Sequence, residues 1–226
     1  MLVISTVIPA QSSDDFPVLD VLVYESLGET YENEAGRIVG VIADGVRRFL
    51  DKRGLEYKMQ QLPWTRLYMQ VTSSDRALAT GILRTKEREE MFHWIYQIRL
   101  EENFLIARNT PSMKDFDPET IPQGNLTAIC DKNSAQCKFL EELGFPDNNI
   151  FRFNGMASGQ QIQMVLKRRV DFVIGDLHSF APDIESLGID PDKLIQVMSV
   201  NKTGLYVVAS KSMNPQLLDI LLRDRL

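Results

Sequence analysis

Residues suited to redox, metal or nucleophilic chemistry are scarce. The 226 residues include two cysteines, Cys130 and Cys137, and two histidines, His93 and His178. A separation of seven fits no zinc or thioredoxin spacing, and two histidines add little to a metal site. No metal and no cofactor are therefore expected. A basic stripe interleaved with aromatics is also missing, and the formal net charge is −6, so nucleic acid is not an expected partner. The longest apolar run is too short to cross a bilayer. There is no internal repeat, low-complexity tract or flexible linker, and no P-loop or dinucleotide fingerprint. Gly155-Met156-Ala157-Ser158-Gly159 is not a nucleophile elbow, because its serine is misplaced. His93, between Phe92 and Trp94, reads as a packed or edge residue, and nothing in the spacing couples Cys130 to either histidine. Catalysis is not expected.

What remains is an ordinary globular composition, 44% hydrophobic and 25% charged, with length for one large domain or two lobes of about 100 residues each. Residues 1–17 begin apolar and turn polar at Gln11-Ser12-Ser13-Asp14-Asp15, which reads as a signal remnant or leader without its charged n-region, or else as a first strand. Short apolar strands are expected at 20–24, 57–62, 77–81, 103–107, 126–130, 171–175, 194–200 and 205–209. Helical periodicity marks 38–53, 67–71, 135–143, 158–169 and 215–226. Ser134 is placed to N-cap the third of these helices and Gly144 to end it. Such alternation predicts an α/β fold with mostly parallel sheets and ligand sites at strand C-termini. Cys130 and Cys137 bracket a strand-to-helix turn. They form a local disulfide if the chain is exported, or stay as two partly buried thiols.

An ordered series of weak motifs goes further. It comprises Gly36-Arg37-Ile38-Val39-Gly40, Leu62-Pro63-Trp64-Thr65-Arg66, Asp75-Arg76-Ala77-Leu78 and Thr85-Lys86-Glu87-Arg88-Glu89-Glu90-Met91-Phe92. Later come Gly124-Asn125-Leu126-Thr127-Ala128-Ile129 and Arg169-Val170-Asp171-Phe172-Val173-Ile174-Gly175-Asp176. Together they resemble the bacterial extracellular solute-binding proteins of family 3, the polar-amino-acid receptors of ABC importers. The resemblance implies a two-lobe type II periplasmic-binding fold, with lobe 1 from 18–100 and 203–226 and lobe 2 from 101–202. The chain would cross between lobes near 99–103 and 200–203, and hinge closure would trap ligand in the cleft. It also implies a periplasmic, monomeric protein that hands a small polar ligand, such as an amino acid, to ABC permease subunits.

The same resemblance assigns roles. Arg88, in the T-x-x-R position, would clamp a ligand carboxylate with its planar fork; otherwise it is a solvated arginine paired with Glu89 or Glu90. Asp176, after the strand 171–175, would accept an α-ammonium, cap the next helix, or do both. Trp64 would cover the ligand or simply fill the lobe-1 core. Asn133 and Ser134 would offer a helix N-terminus to the anion. Thr80 and Gly81 precede T-x-x-R, where hydroxyl and backbone contacts are usual, and Tyr24 and Glu25 occupy the exit of the first strand. Departures leave the ligand open: Leu83 has no side-chain donor, and Lys132 stands where a glycine is usual. His178 is close enough to Asp176 to reach the cleft. Other readings are a sensory ligand-binding module, or a small-acid dehydratase or lytic-type enzyme on the same scaffold.

Overall fold

In the computed structural model, residues 17–223 are described; the leader read over 1–17 lies outside them but for Pro17. The chain runs through β1 (Leu19–Val23), a small hairpin of β2 (Tyr31–Glu32) and β3 (Ile38–Val39), α1 (Val41–Asp51), β4 (Tyr57–Gln61), α2 (Trp64–Ser73), β5 (Ala77–Leu83) and β6 (Phe92–Arg108). It continues with α3 (Pro111–Lys114), β7 (Ala128–Asp131), α4 (Ala135–Glu142), β8 (Ile150–Phe153), α5 (Ser158–Leu166), β9 (Phe172–Gly175), α6 (Leu177–Ser186), β10 (Leu194–Ser210) and α7 (Pro215–Leu222).

Eight strands form one hydrogen-bonded sheet in the order β4-β1-β5-β10-β6-β9-β7-β8. β1 lies parallel to β4 and β5, and β7 lies parallel to β8 and β9. These are the βα-crossover pairs that the alternating pattern predicts. β5, β7 and β9 are buried along almost their whole length, as strands covered on both faces must be. β4 sits at one edge and alternates between half-buried and exposed residues, with Lys58 and Gln60 turned outward where they blunt edge pairing.

The two long strands hold the halves together. β6 and β10 pair antiparallel from Leu194 opposite Arg108 to Ser210 opposite Phe92. β10 gains β5 as a second neighbour only between Leu205 and Ala209, and β6 gains β9 only between Phe104 and Ile106. Between those stretches, around 99–103 and 200–204, the ladder is a bare two-stranded ribbon. The sequence pattern reads two separate strands where β10 is continuous, and it reads only 103–107 of β6. The reason is polarity. Ser199, Asn201, Lys202 and Thr203 break the apolar alternation, in a stretch that has no third strand beside it among the described residues.

Among the described residues the apolar side chains gather into three clusters. One lies between α2 and the first group of strands, built from Leu22, Leu67, Val71, Ile82 and Phe92. Another lies beneath α5 and α6, around Ile106, Ile162, Val165 and Val173. The largest brings in α1, α4 and α7. α1 starts at Val41, three residues later than the periodicity suggests, because Gly40 turns the chain at φ 117°. A Cβ there would stand 2.3 Å from the Glu29 carbonyl oxygen. α6 escaped the sequence pattern, with Pro182 inside it.

Candidate functional site

The C-terminal ends of β1, β5, β7 and β9, with the bare ribbon of β6, surround a cleft of about 160 Å³. Six of the residues singled out from the sequence line it: Tyr24, Trp64, Gly81, Arg88, Ser134 and Asp176.

Arg88 ends a short 3₁₀ turn, Lys86–Arg88, that follows β5. It is 6% exposed. Its guanidinium donates to the carbonyls of Leu83 at 3.5 Å and Asn133 at 3.2 Å. It also lies over the rings of Trp64 and Tyr68, 5.6 and 5.2 Å from their centroids. Among the described residues no carboxylate forms an ion pair with it; Glu89, the alternative partner, bonds Arg84 instead. Burial pulls its pKa below the ordinary arginine value, yet a guanidinium stays charged at neutral pH. A buried cation held by carbonyl dipoles, ring faces and the Tyr68 side chain, with no ion-paired carboxylate, is left wanting an anion.

The anion side is completed from the other half of the sheet. Ser134 N-caps α4, its Oγ accepting the Cys137 N–H at 3.3 Å. Asn133 adopts φ 64°, which aims its carbonyl at Arg88. Cys130 and Cys137 are joined as a disulfide, Cα atoms 5.3 Å apart, so this turn is tied to the end of β7. Cys130 thus carries no thiol for nucleophilic chemistry.

The opposite wall is acidic. Asp176 caps α6 by accepting the His178 N–H at 3.1 Å while also lining the cleft. Glu29 and Glu101 both pair with Arg99, at 2.6 and 2.7 Å. Burial raises the Glu101 pKa, and the charges of Glu29 and Asp176 add to it, while Arg99 opposes. The cleft therefore has one cationic end and one anionic end, an arrangement that suits a small dipolar molecule.

Tyr24 links the halves. Its hydroxyl lies 3.0 Å from Asp131 Oδ2 and 2.8 Å from the Met156 carbonyl oxygen. Burial first, and the adjacent Asp131 charge second, push its pKa up, so it stays a donor. Asp131 also accepts the N–H groups of Gly155 and Met156 at 2.8 and 3.1 Å, though burial still raises its pKa. Tyr24→Phe should cost roughly 1–2 kcal/mol, read as a fall of a few degrees in the ligand-free melting temperature. An unchanged melting curve would show that this bond contributes nothing.

Four singled-out residues stand elsewhere. Thr80 is buried within β5 and is not part of the cleft wall. Glu25 lines a small adjoining cavity beside Pro63 and Gly155. Asn133 lines a separate groove on the far side of Arg88, with Lys132, Lys138 and Arg152. His178 is exposed in the first turn of α6 and does not line the cleft. The sequence reading missed Asp131, Glu29, Glu101 and Asn103. Asp131 ends a recognised strand, so the strand-end rule that selected Asp176 applies to it equally. Among the described residues no cluster of three or more His, Cys, Asp or Glu is arranged to hold a metal, and no helix is long and apolar enough to cross a membrane.

No known family model and no curated protein matches the sequence. Solved structures do match. One is the arginine-, lysine-, histidine-binding protein ArtJ of Geobacillus stearothermophilus, with a TM-score of 0.71 and 17% identity over 91% of this chain and 87% of that one. A histidine kinase sensor domain with similarity to periplasmic binding proteins gives 0.75 and 11%, over 92% and 89%. The ancestral amino acid-binding protein AncCDT-1, a precursor of cyclohexadienyl dehydratase, gives 0.70 and 12%, over 91% and 86%. Identities this low speak for the path of the backbone, and by that path the chain has the two-lobe α/β fold of the periplasmic binding proteins.

Proposed function

We propose that the protein is an extracytoplasmic solute-binding protein that captures a small, amino-acid-like carboxylate by hinge closure and presents it to the permease subunits of an ABC importer. The observation that carries this is Arg88, a buried guanidinium without a carboxylate partner at the mouth of α4. Bidentate pairing with a ligand carboxylate would satisfy it, and the Asp176 side of the cleft would take the α-ammonium. Trp64 would cover the ligand between them. Lobe 1 would comprise 18–100 and 203–226, lobe 2 would comprise 101–202, and the β6–β10 ribbon would be the hinge. The Cys130–Cys137 disulfide supports an oxidising compartment, hence the periplasm. We read the protein as a monomer.

A second reading keeps the same binding chemistry and changes its output. The likeness to a histidine kinase sensor domain favours a sensory module that passes closure to a membrane-borne partner. An enzyme on this scaffold is the third class, of which the AncCDT-1 likeness is a reminder.

A thermal-shift panel of the common L-amino acids and small carboxylates tests the binding reading. One or more should stabilise the protein by RT ln(1 + [L]/Kd), about 2.7 kcal/mol at 100 times Kd, and be recovered unchanged. No shift with any compound would sink the reading, and consumption of the ligand would turn it into an enzyme.

A further inference from the structure

Asn103 is 2% exposed, lines the cleft, and its Nδ2 makes no hydrogen bond among the described residues. A buried donor left unpaired carries its full desolvation penalty, and native proteins hold few of them. The strand partner does not relieve it. Asn103 lies opposite Asn201 on the ribbon, but the Oδ1 of Asn201 is itself buried and unbonded. A second buried donor without a partner, the indole Nε1 of Trp64, belongs to the same cleft.

Glu101 stands two residues before Asn103 in a regular stretch of β6, so both side chains share one face of the strand. Both line the cleft. Arg99 occupies one oxygen of the Glu101 carboxylate at 2.7 Å, and a carboxylate has further acceptor positions. The ribbon therefore presents a donor and an acceptor next to each other.

We infer that Asn103 is a ligand-binding residue, donating to a neutral oxygen on the ligand's side chain while Glu101 accepts an N–H from the same group. A carboxamide or a ureido group has that pairing. A carboxylate there would meet the charges of Glu101, Glu29 and Asp176. A guanidinium or ammonium group could not accept from Asn103 at all. The inference rests on the amino-acid reading above and adds which side-chain chemistry the hinge strand selects.

The test is calorimetric titration of L-glutamine, L-citrulline, L-arginine and L-norleucine into the wild type, Asn103→Leu and Asn201→Leu. The wild type should bind glutamine or citrulline roughly tenfold or more tightly than arginine and norleucine, and Asn103→Leu should abolish that preference by weakening only the first two. Asn201→Leu should preserve it. Leucine removes an unpaired buried amide while keeping the same branching and number of side-chain heavy atoms, and its added bulk can face the cleft, so the ligand-free Asn103→Leu protein should melt no lower than the wild type. Tighter binding of arginine than of glutamine and citrulline by the wild type would overturn the inference, as would equal weakening of all four ligands by Asn103→Leu; in either case the amino-acid reading stands. Binding of none of the four together with a blank amino-acid panel would overturn both.

Discussion

Arg88→Met is expected to abolish tight ligand binding without harming the ligand-free protein. Removing one member of a buried charge pair costs about 2–5 kcal/mol, roughly a 30-fold or greater loss of affinity. In the ligand-free state the same change works in the other direction. The guanidinium there is buried beside two carbonyls and two aromatic rings, and without an ion-paired carboxylate the Tyr68 side chain and the Glu87 charge offset its desolvation only in part. Methionine of similar length removes that cost and keeps the packing against Trp64 and Tyr68, so the melting temperature should hold or rise. Opposite signs for affinity and stability mark a residue kept for a ligand. Arg37→Ala, on an exposed turn, should change neither. Titration of the best amino acid from the panel, with melting curves for all three proteins, settles the matter. Unaltered affinity in Arg88→Met would refute the carboxylate clamp.

Loss of the Cys130–Cys137 bond should produce the largest stability effect. The bridge closes a loop of only a few residues, for which chain-entropy arguments give about 2–3 kcal/mol. That corresponds to a melting temperature lower by roughly 5–10 °C in a protein of this size. The double variant Cys130→Ala, Cys137→Ala or mild reduction would show it. Binding should suffer too. The loop contains Asp131, which holds Tyr24, Asn133, which faces Arg88, and Ser134, which caps α4. With the strap cut, the left-handed conformation of Asn133 must be held by local bonds alone, and ordering it would draw on ligand affinity. Equal melting temperatures and affinities for the oxidised and reduced protein would rule out this role.

The neighbourhood of the site was legible in the sequence wherever a residue followed a strand. Arg88, Ser134 and Asp176 all stand just beyond β5, β7 and β9, and apolar runs ended by polar residues mark those points. Thr80 misled because it lies inside β5, where its side chain is taken up by the packed sheet. Glu25 and Asn133 misled because adjacency in sequence says nothing about which side of a turn faces the cleft. Glu101 and Asn103 were hidden for a different reason. Glu101 lies in a polar stretch that looks like a connection, and Asn103 only opens the strand read at 103–107; pairing with residues about a hundred positions later is what carries β6 through both and turns them to the cleft.

The amino-acid sequence by itself determined the alternation of strands and helices, the caps, the buried strands and the turn that the cysteines bracket, because each depends on neighbours within a few residues. Tertiary structure alone decided that β6 and β10 run unbroken between the two halves, that Tyr24 meets Asp131, and that a cationic wall faces an acidic one. These are contacts between segments far apart in the chain, made by polar side chains whose partners no local periodicity records.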